Sequence, residues 1–290
     1  MFKNIAIISK IDDNSVKDSL NTVINYLDSK NIKYFLDDNS NALLKNKTST
    51  SLEDMTKKCD IAFIIGGDGT LLRSAQYLSK ADIPICGINR GRLGFLVDIS
   101  PNHIKENLEN ILSNNYSIDE RISLIGTVIR DGKEISKNIS FNDVVIHSKD
   151  AVRMIEMDTK LNGQRLYTLN ADGLVISTPT GSTAYSLSAG GPIIHPSLDV
   201  WTILPMLPQS ISSRPFIISS DADIEMEIFD GPNDHAKICV DGQDDIDIPY
   251  GEKISILKMA KTLKLVHPED NDFFEACREK LGWSLNISKN

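Results

Sequence analysis

The sequence predicts two domains of different class. An N-terminal Rossmann-like α/β domain occupies residues 1–117, a β-sandwich-like domain occupies 118–266, and a tail over 267–290 carries a helix that returns to the first domain. Three observations carry this reading. Near the N-terminus, apolar runs alternate with stretches of helical spacing, the pattern of parallel strands joined by helices. From about Ile118 the period shortens to alternating runs separated by turn pairs such as Asp131-Gly132 and Asn162-Gly163, as antiparallel sheets require. The chain has 290 residues, 41% of them hydrophobic, enough to fill two cores.

Taken in order, residues 4–9 read as an apolar strand, 14–29 as a helix and 32–36 as a second strand, whereas the polar stretch 37–51 reads as a loop. A helical turn over 51–58 leads into Ile61-Ala62-Phe63-Ile64-Ile65, whose apolar run lacks polar alternation and so fits a strand covered on both faces. This run stops at Gly66-Gly67-Asp68-Gly69-Thr70, and Leu71 to Leu78 then carry the spacing of an amphipathic helix. Residues 83–88 form another short buried strand. The glycine-punctuated Asn89 to Leu96 falls at the carboxyl edge of the sheet, where open α/β sheets bind ligands, and a helix over 101–114 closes the domain. Strands of the second domain are expected at 122–130, 139–147, 152–161, 164–169, 173–178, 215–229, 236–241 and 253–266, with a helix over 270–282.

Charge and cysteine content narrow the class of partner. A net charge of −9 lacks the basic field that nucleic acids or anionic membranes require, so a phosphorylated ligand must be met by local basic residues. The cysteines, Cys59, Cys86, Cys239 and Cys277, form no Cys-x-x-Cys pair and read as reduced core residues. The N-terminal stretch reads as a strand rather than a signal peptide, and no run reaches membrane-spanning length, so a cytoplasmic protein is expected.

The chemistry concentrates in two segments. A glycine-rich strand-to-helix turn leaves backbone N–H groups unshielded and able to cradle a polyphosphate, with help from the helix dipole. Asp68 is anomalous there, because a carboxylate beside phosphate is repelled unless it takes a proton or holds a metal; the combination points to phosphoryl transfer to a hydroxyl. The plainer alternative is a tight turn with a capping aspartate. Leu72 stands where a dinucleotide fingerprint needs its third glycine or alanine, and no P-loop run exists. The second segment, Asn170 to Pro196, is dense in hydroxyls and small residues, with Tyr185 offering a face for a base; its alternative is a long irregular connection. Asn142-Asp143 presents the donor and acceptor groups that read an adenine edge or a ribose diol, or else caps a strand. His147 and His195 have no metal-ligand spacing, so no zinc site is expected, and Ser182 and Ser186 lack a nucleophile elbow.

In order and spacing over residues 1–285 the chain resembles the NAD kinase family. The residues that carry the resemblance are Gly66 to Thr70, Asn89 to Leu96, Asn142-Asp143, Ala171 to Pro196, Ser212 to Pro215, and Asp241-Gly242-Gln243. The resemblance implies transfer of the γ-phosphoryl group of ATP to the adenosine-ribose 2′-hydroxyl of NAD, with a divalent cation, Mg²⁺ by expectation. It also implies a homo-oligomer, dimer or tetramer, with the active site between domains. By the same resemblance Asp68 is the proton acceptor, and Gly69, Arg73, Asn142, Asp143, Arg153, Asn170, Asp172, Thr183, Ala184, Tyr185, Ser186, Leu187, Ser188 and Gln243 contact ligand. Asp143 stands where the family has glutamate, keeping the charge on a shorter reach. Arg73, Arg90, Arg92 and Arg214 are candidates to offset phosphate charge, the alternative for each being a solvated surface charge. The rival readings are a diacylglycerol-type lipid kinase, which shares the glycine turn, and a non-catalytic NAD sensor.

Overall fold

The computed structural model describes residues 2–45, 48–91, 93–149, 153–229, 236–243, 245–249, 251–268 and 272–283, so Arg92 lies outside the described residues. In chain order the elements begin with β1 (Asn4–Ser9), α1 (Lys17–Ser29), β2 (Lys33–Leu36), α2 (Asp38–Leu44), α3 (Leu52–Lys58), β3 (Ile61–Ile65), α4 (Asp68–Leu78), β4 (Ile85–Ile88), α5 (Ile104–Leu112) and β5 (Ser117–Arg121). There follow β6 (Leu124–Arg130), β7 (Lys133–Ser140), β8 (Asp143–Ser148), β9 (Ile155–Leu161), β10 (Gln164–Ala171), β11 (Gly173–Ser177), the single turn α6 (Tyr185–Ser188), β12 (Val200–Met206), β13 (Phe216–Ser219), β14 (Ile224–Ile228), β15 (Ala236–Val240), β16 (Ile246–Ile248) and β17 (Lys253–Lys258). The chain closes with β18 (Leu263–His267) and α7 (Phe273–Leu281). Two compact units result, Met1–Glu120 with Leu263–Asn290, and Arg121–Thr262.

The first unit is built on one sheet of order β2-β1-β3-β4-β18-β5, with parallel pairing from β2 through β18. Every residue of β3 is buried, as its unbroken apolar run requires of a strand covered on both faces. Ile5, Ile7, Phe63, Cys86 and Ile88 pack with Leu20, Val23 and Leu27 of α1 and with Leu108 and Ile111 of α5 on one side. The run expected over 253–266 is two strands, and the second, β18, joins this sheet; His267 at its end is buried and lies 2.7 Å, Nδ1 to Oδ2, from Asp98.

Two further expectations, both in the first unit, differ from the structure. Residues 38–44 are helical rather than loop, because the Asp37 carboxylate caps them, accepting the Ser40 N–H at 2.8 Å. And α4 begins at Asp68, not Leu71, so only Gly66 and Gly67 form the turn, while Asp68-Gly69-Thr70 is the first helical turn.

The second unit is a sandwich of two antiparallel sheets, β10-β9-β14-β17-β6-β7 and β13-β12-β11-β8-β15-β16. Their inner faces alternate as a pleat demands: Val144 and Ile146, Leu174 and Ile176, Trp201 and Ile203 from one sheet meet Ile224, Met226, Ile254 and Ile256 from the other. The outward residues Val145, Val175 and Leu204 are also buried, packed with Ala189, Met206 and Cys239. Thus the middle of this sheet is apolar on both faces, and its outer face carries a ligand-sized cavity.

Candidate active site

The turn in the first unit is shaped around Asp68. Gly67 is the N-cap of α4 and supplies no capping side chain; its carbonyl accepts the Thr70 and Leu71 N–H groups at 2.9 and 3.2 Å, so the Asp68 and Gly69 N–H groups are the first-turn donors left to other acceptors. The Asp68 carboxylate folds back onto the segment after β4, where Oδ2 accepts the Phe95 N–H at 3.0 Å and Oδ1 accepts those of Leu96 and Val97 at 3.1 and 3.2 Å. These contacts fix the carboxylate's orientation. They also account for Gly94, because a Cβ there would lie 2.2 Å from Asp68 Oδ1. A cavity of about 700 Å³ opens beside the turn, walled by Gly66, Gly67, Asp68, Ser15, Arg90, Phe95 and Lys280 among others. Arg90 Nη1 donates to Asp13 Oδ2 at 2.6 Å, and Asp13 is held well below the usual carboxylate range, chiefly by hydrogen bonds from Ser15 and then from Lys10 and Arg90.

The second unit holds a cavity of about 700 Å³ on the outer face of its central sheet, bounded by Asn142, Asp143, Val145, Arg153, Asp172, Ala184, Tyr185, Met206 and Asp241 among others. Its polar edge depends on Asp241. This residue adopts left-handed backbone (φ 50°) followed by Gly242, which places its carboxylate beneath the start of β8. There it accepts the Ser140 hydroxyl at 2.6 Å and the Phe141, Asn142 and Asp143 N–H groups at 3.0, 2.7 and 3.2 Å. Asn142-Asp143 is thereby fixed in place by the half-buried Asp241 carboxylate. Burial, joined by the Asp241 charge, pushes the Asp143 carboxyl up to about 7, and burial likewise raises Asp241.

The small-residue segment closes over the same point. Thr178 N–H donates to the Asn142 carbonyl at 2.9 Å, and the Ser182 hydroxyl accepts the Ile194 N–H at 3.0 Å, folding the loop on itself. Gly181 is required there, since a Cβ would sit 2.0 Å from the Asn142 carbonyl oxygen. Tyr185 stands 46% exposed at the wall, its hydroxyl 4.0 Å from Met206 Sδ.

Of the predicted positions, the second cavity thus gathers Asn142, Asp143, Arg153, Asp172, Ala184 and Tyr185, and Asp68 belongs to the first. Asn170 instead lines a separate hollow of about 460 Å³ with Gln209, Ser210, Ser212 and Arg214. Ser186 is fully buried against Gly191, and Thr183 and Leu187 are half-buried around it, so these three build the loop. Gly69 and Ser188 are exposed, Arg73 is exposed on α4, and Gln243 follows the Asp241-Gly242 turn with its carbonyl accepting the Cys239 thiol. Sequence reasoning missed Met206 and Cys239 in the cavity wall, the carboxylate of Asp241, and Lys280. The Asp-Gly pair at 241–242 is the one signal that marked any of them.

The family model described as ATP-NAD kinase N-terminal domain matches residues 5–116, and the model described as ATP-NAD kinase C-terminal domain matches residues 141–268. An NAD kinase of Marinobacter nauticus is 39% identical over 99% of this chain and 98% of its own length, and one of Nitrosomonas europaea is 38% identical over 100% and 98%. Among solved structures, yeast NADH kinase complexed with NADH superimposes with a TM-score of 0.89 at 24% identity, covering 99% of this chain and 89% of the other. An NAD kinase from Archaeoglobus fulgidus in complex with ATP gives 0.75 at 24% identity, covering 96% and 97%; both share the fold. These relatives do not favour the lipid-kinase or sensor readings. The chain belongs to the NAD kinase family, phosphotransferases with an alcohol group as acceptor.

Proposed function

We propose that this chain transfers the γ-phosphoryl group of ATP to the 2′-hydroxyl of the adenosine ribose of NAD, giving NADP and ADP, with Asp68 accepting the hydroxyl proton. The observation that carries this reading is the Asp68 carboxylate held by backbone N–H groups beside an uncapped glycine turn. The Asp68 and Gly69 N–H groups at the start of α4 and the nearby Arg90 suit the donor's phosphates. The cavity on the second unit suits the adenosine half of NAD: Asn142 and Asp143 supply directional hydrogen bonds, Tyr185 and Met206 supply apolar surface, and Arg153 and Asp172 complete the polar rim. Gly69, Arg73, Asn170, Thr183, Ser186, Leu187, Ser188 and Gln243 are proposed as supports or neighbours of these ligands.

A divalent cation is part of the proposal. Among the described residues no three His, Cys, Asp or Glu side chains converge as a metal cage, and Asp68 is the one carboxylate lining the cavity at the turn. That fits Mg²⁺, which is characteristically held by one or two carboxylates together with substrate phosphates. When bound, the cation supplies neutralisation of charge on the transferred group. Asp68 is the residue to face it; Asp68 also orients the acceptor hydroxyl, and this positioning supports most of the rate.

The decisive experiment incubates purified protein with ATP, Mg²⁺ and NAD and follows NADP; diacylglycerol in place of NAD is the control. NADP formation abolished by substituting Asp68 supports the reading, and NAD binding without turnover in the unsubstituted protein contradicts it. A homo-oligomer belongs to the same proposal, supported by exposed Leu207, Ile211, Phe216 and Ile217 at and beside the edge strand β13, and light scattering tests it. So does a cytoplasmic location, supported by four free cysteines; among the described residues no helix is long and apolar enough to cross a membrane.

A further inference from the structure

The cavity beside Asp68 has a wall from the far end of the chain. Lys280 and Leu281 in the last turn of α7 line it together with Gly66, Gly67 and Arg90. The Lys280 ammonium lies 3.8 Å from Asp68 Oδ2, beyond hydrogen-bonding distance, and 5.1 Å from the centre of the Phe95 ring. Phe95 in turn stands 6.4 Å from Phe273 at the start of the same helix. The helix is fixed at its N-terminus, where Asp272 caps it by accepting the Phe274 N–H at 2.8 Å and pairs with Arg278 at 3.1 Å, and along one side by buried Ala276 and Cys277. The position of the ammonium is therefore set by the fold, while its side chain, about one-third exposed, keeps freedom to move.

We propose that Lys280 is a binding residue for the donor's phosphates: it rests near Asp68 when the cavity lacks a polyphosphate and takes a phosphate oxygen when one enters. This inference rests on the reading of the turn as the donor site. The physical reason is the sign of the groups present. Among the described residues Asp68 is the one carboxylate lining this cavity, and a triphosphate brought beside it meets repulsion unless cations are close. Lysine suits the task because its charge is compact and its stem flexible, whereas the ion pair it would leave is loose and partly solvated, hence weak. The carboxyl-terminal helix is thus part of the phosphate site.

The test compares Lys280→Met, Lys280→Arg and Arg90→Met with the unsubstituted full-length protein in three measurements: ATP affinity by calorimetry, KM for ATP and for NAD, and the thermal midpoint. Lys280→Met is expected to weaken ATP binding and kcat/KM for ATP by about 10- to 100-fold, the range for one charge-assisted contact. KM for NAD and the midpoint stay put, and Lys280→Arg recovers most of the loss. If Arg90→Met weakens ATP binding and Lys280→Met does not, the cavity is the donor site and the assignment of Lys280 is wrong. If neither affects ATP, the donor-site reading itself fails and the assignment with it. If Lys280→Met lowers the midpoint and affects ATP and NAD equally, the residue is only structural and the proposal is overturned.

Discussion

Replacing Asp143 with asparagine should stabilise the protein at neutral pH and remove a specific part of its pH dependence. Asp143 is 3% exposed, and its carboxyl titrates near pH 7, raised by burial and by the charge of Asp241, against an ordinary value of 3.8. Because the folded-state value lies above the unfolded one, the folded protein retains a proton there that the unfolded chain has released. The stability linked to this proton is complete below about pH 4 and is lost as pH rises to about 7. At about 1.4 kcal/mol for each tenfold change in proton concentration, the loss reaches about 4 kcal/mol. Burial raises Asp241 too, so its contribution runs in the same sense. Asparagine has nearly the same shape and does not titrate. The variant should match the unsubstituted protein near pH 4 and exceed it by up to about 4 kcal/mol at pH 8, on the order of 10 °C in thermal midpoint for a unit of this size. Thermal unfolding of the ligand-free proteins followed by circular dichroism at unit pH steps provides the measurement. A gap between the two that stays constant across this range would refute the argument that Asp143 is buried beside a like charge.

Other substitutions test the rest of the site. Asp68→Asn should lower turnover by about 10²- to 10⁴-fold, as loss of a general base does; it should also cost about 1–3 kcal/mol of stability, because the new NH₂ must face a backbone N–H of the Phe95–Val97 segment. A single-turnover assay with a melting curve reads both, and near-normal turnover would exclude Asp68 as the base. Tyr185→Ala should weaken NAD binding by about 1–3 kcal/mol, the worth of stacking on an aromatic, and barely move the midpoint, since Tyr185 is 46% exposed; a large fall in midpoint with normal NAD affinity would make the ring structural. Gly181→Ala forces a Cβ to within 2.0 Å of the Asn142 carbonyl oxygen, so backbone must shift; a loss of about 1–3 kcal/mol, the ordinary penalty of overpacking, should accompany weaker nucleotide binding. Unfolding and NAD titration of the variant check this, and a variant indistinguishable from its parent would show that the loop does not depend on Asn142.

How much of this could be read from residue order follows from the range of the forces involved. The unbroken run Ile61 to Ile65 pointed to a strand buried on both faces, because it is short, rich in β-branched and aromatic residues, and stopped by glycines. The glycines after it fixed the turn, and the shift to alternating runs separated the α/β half from the antiparallel half; these are local signals, decided by neighbours along the chain. Helix α2 escaped because its stability comes from the Asp37 cap and from packing rather than from a long apolar stripe. Strand β12 escaped because Pro205 argues against a strand, yet here it sits near the end of one, opposite Leu174. The grouping of the site was beyond reach of sequence for a different reason. Asp241 meets the amides of Phe141 to Asp143 about a hundred residues away, Lys280 approaches Asp68 across most of the chain, and Asn170 lines a separate hollow from Asn142. The sequence by itself determined the two fold classes, the glycine turn and the identity of the acid at it. Only the tertiary structure decided which way that acid points and which charges surround it, because burial and electrostatic proximity depend on distances in space that spacing along a chain does not encode.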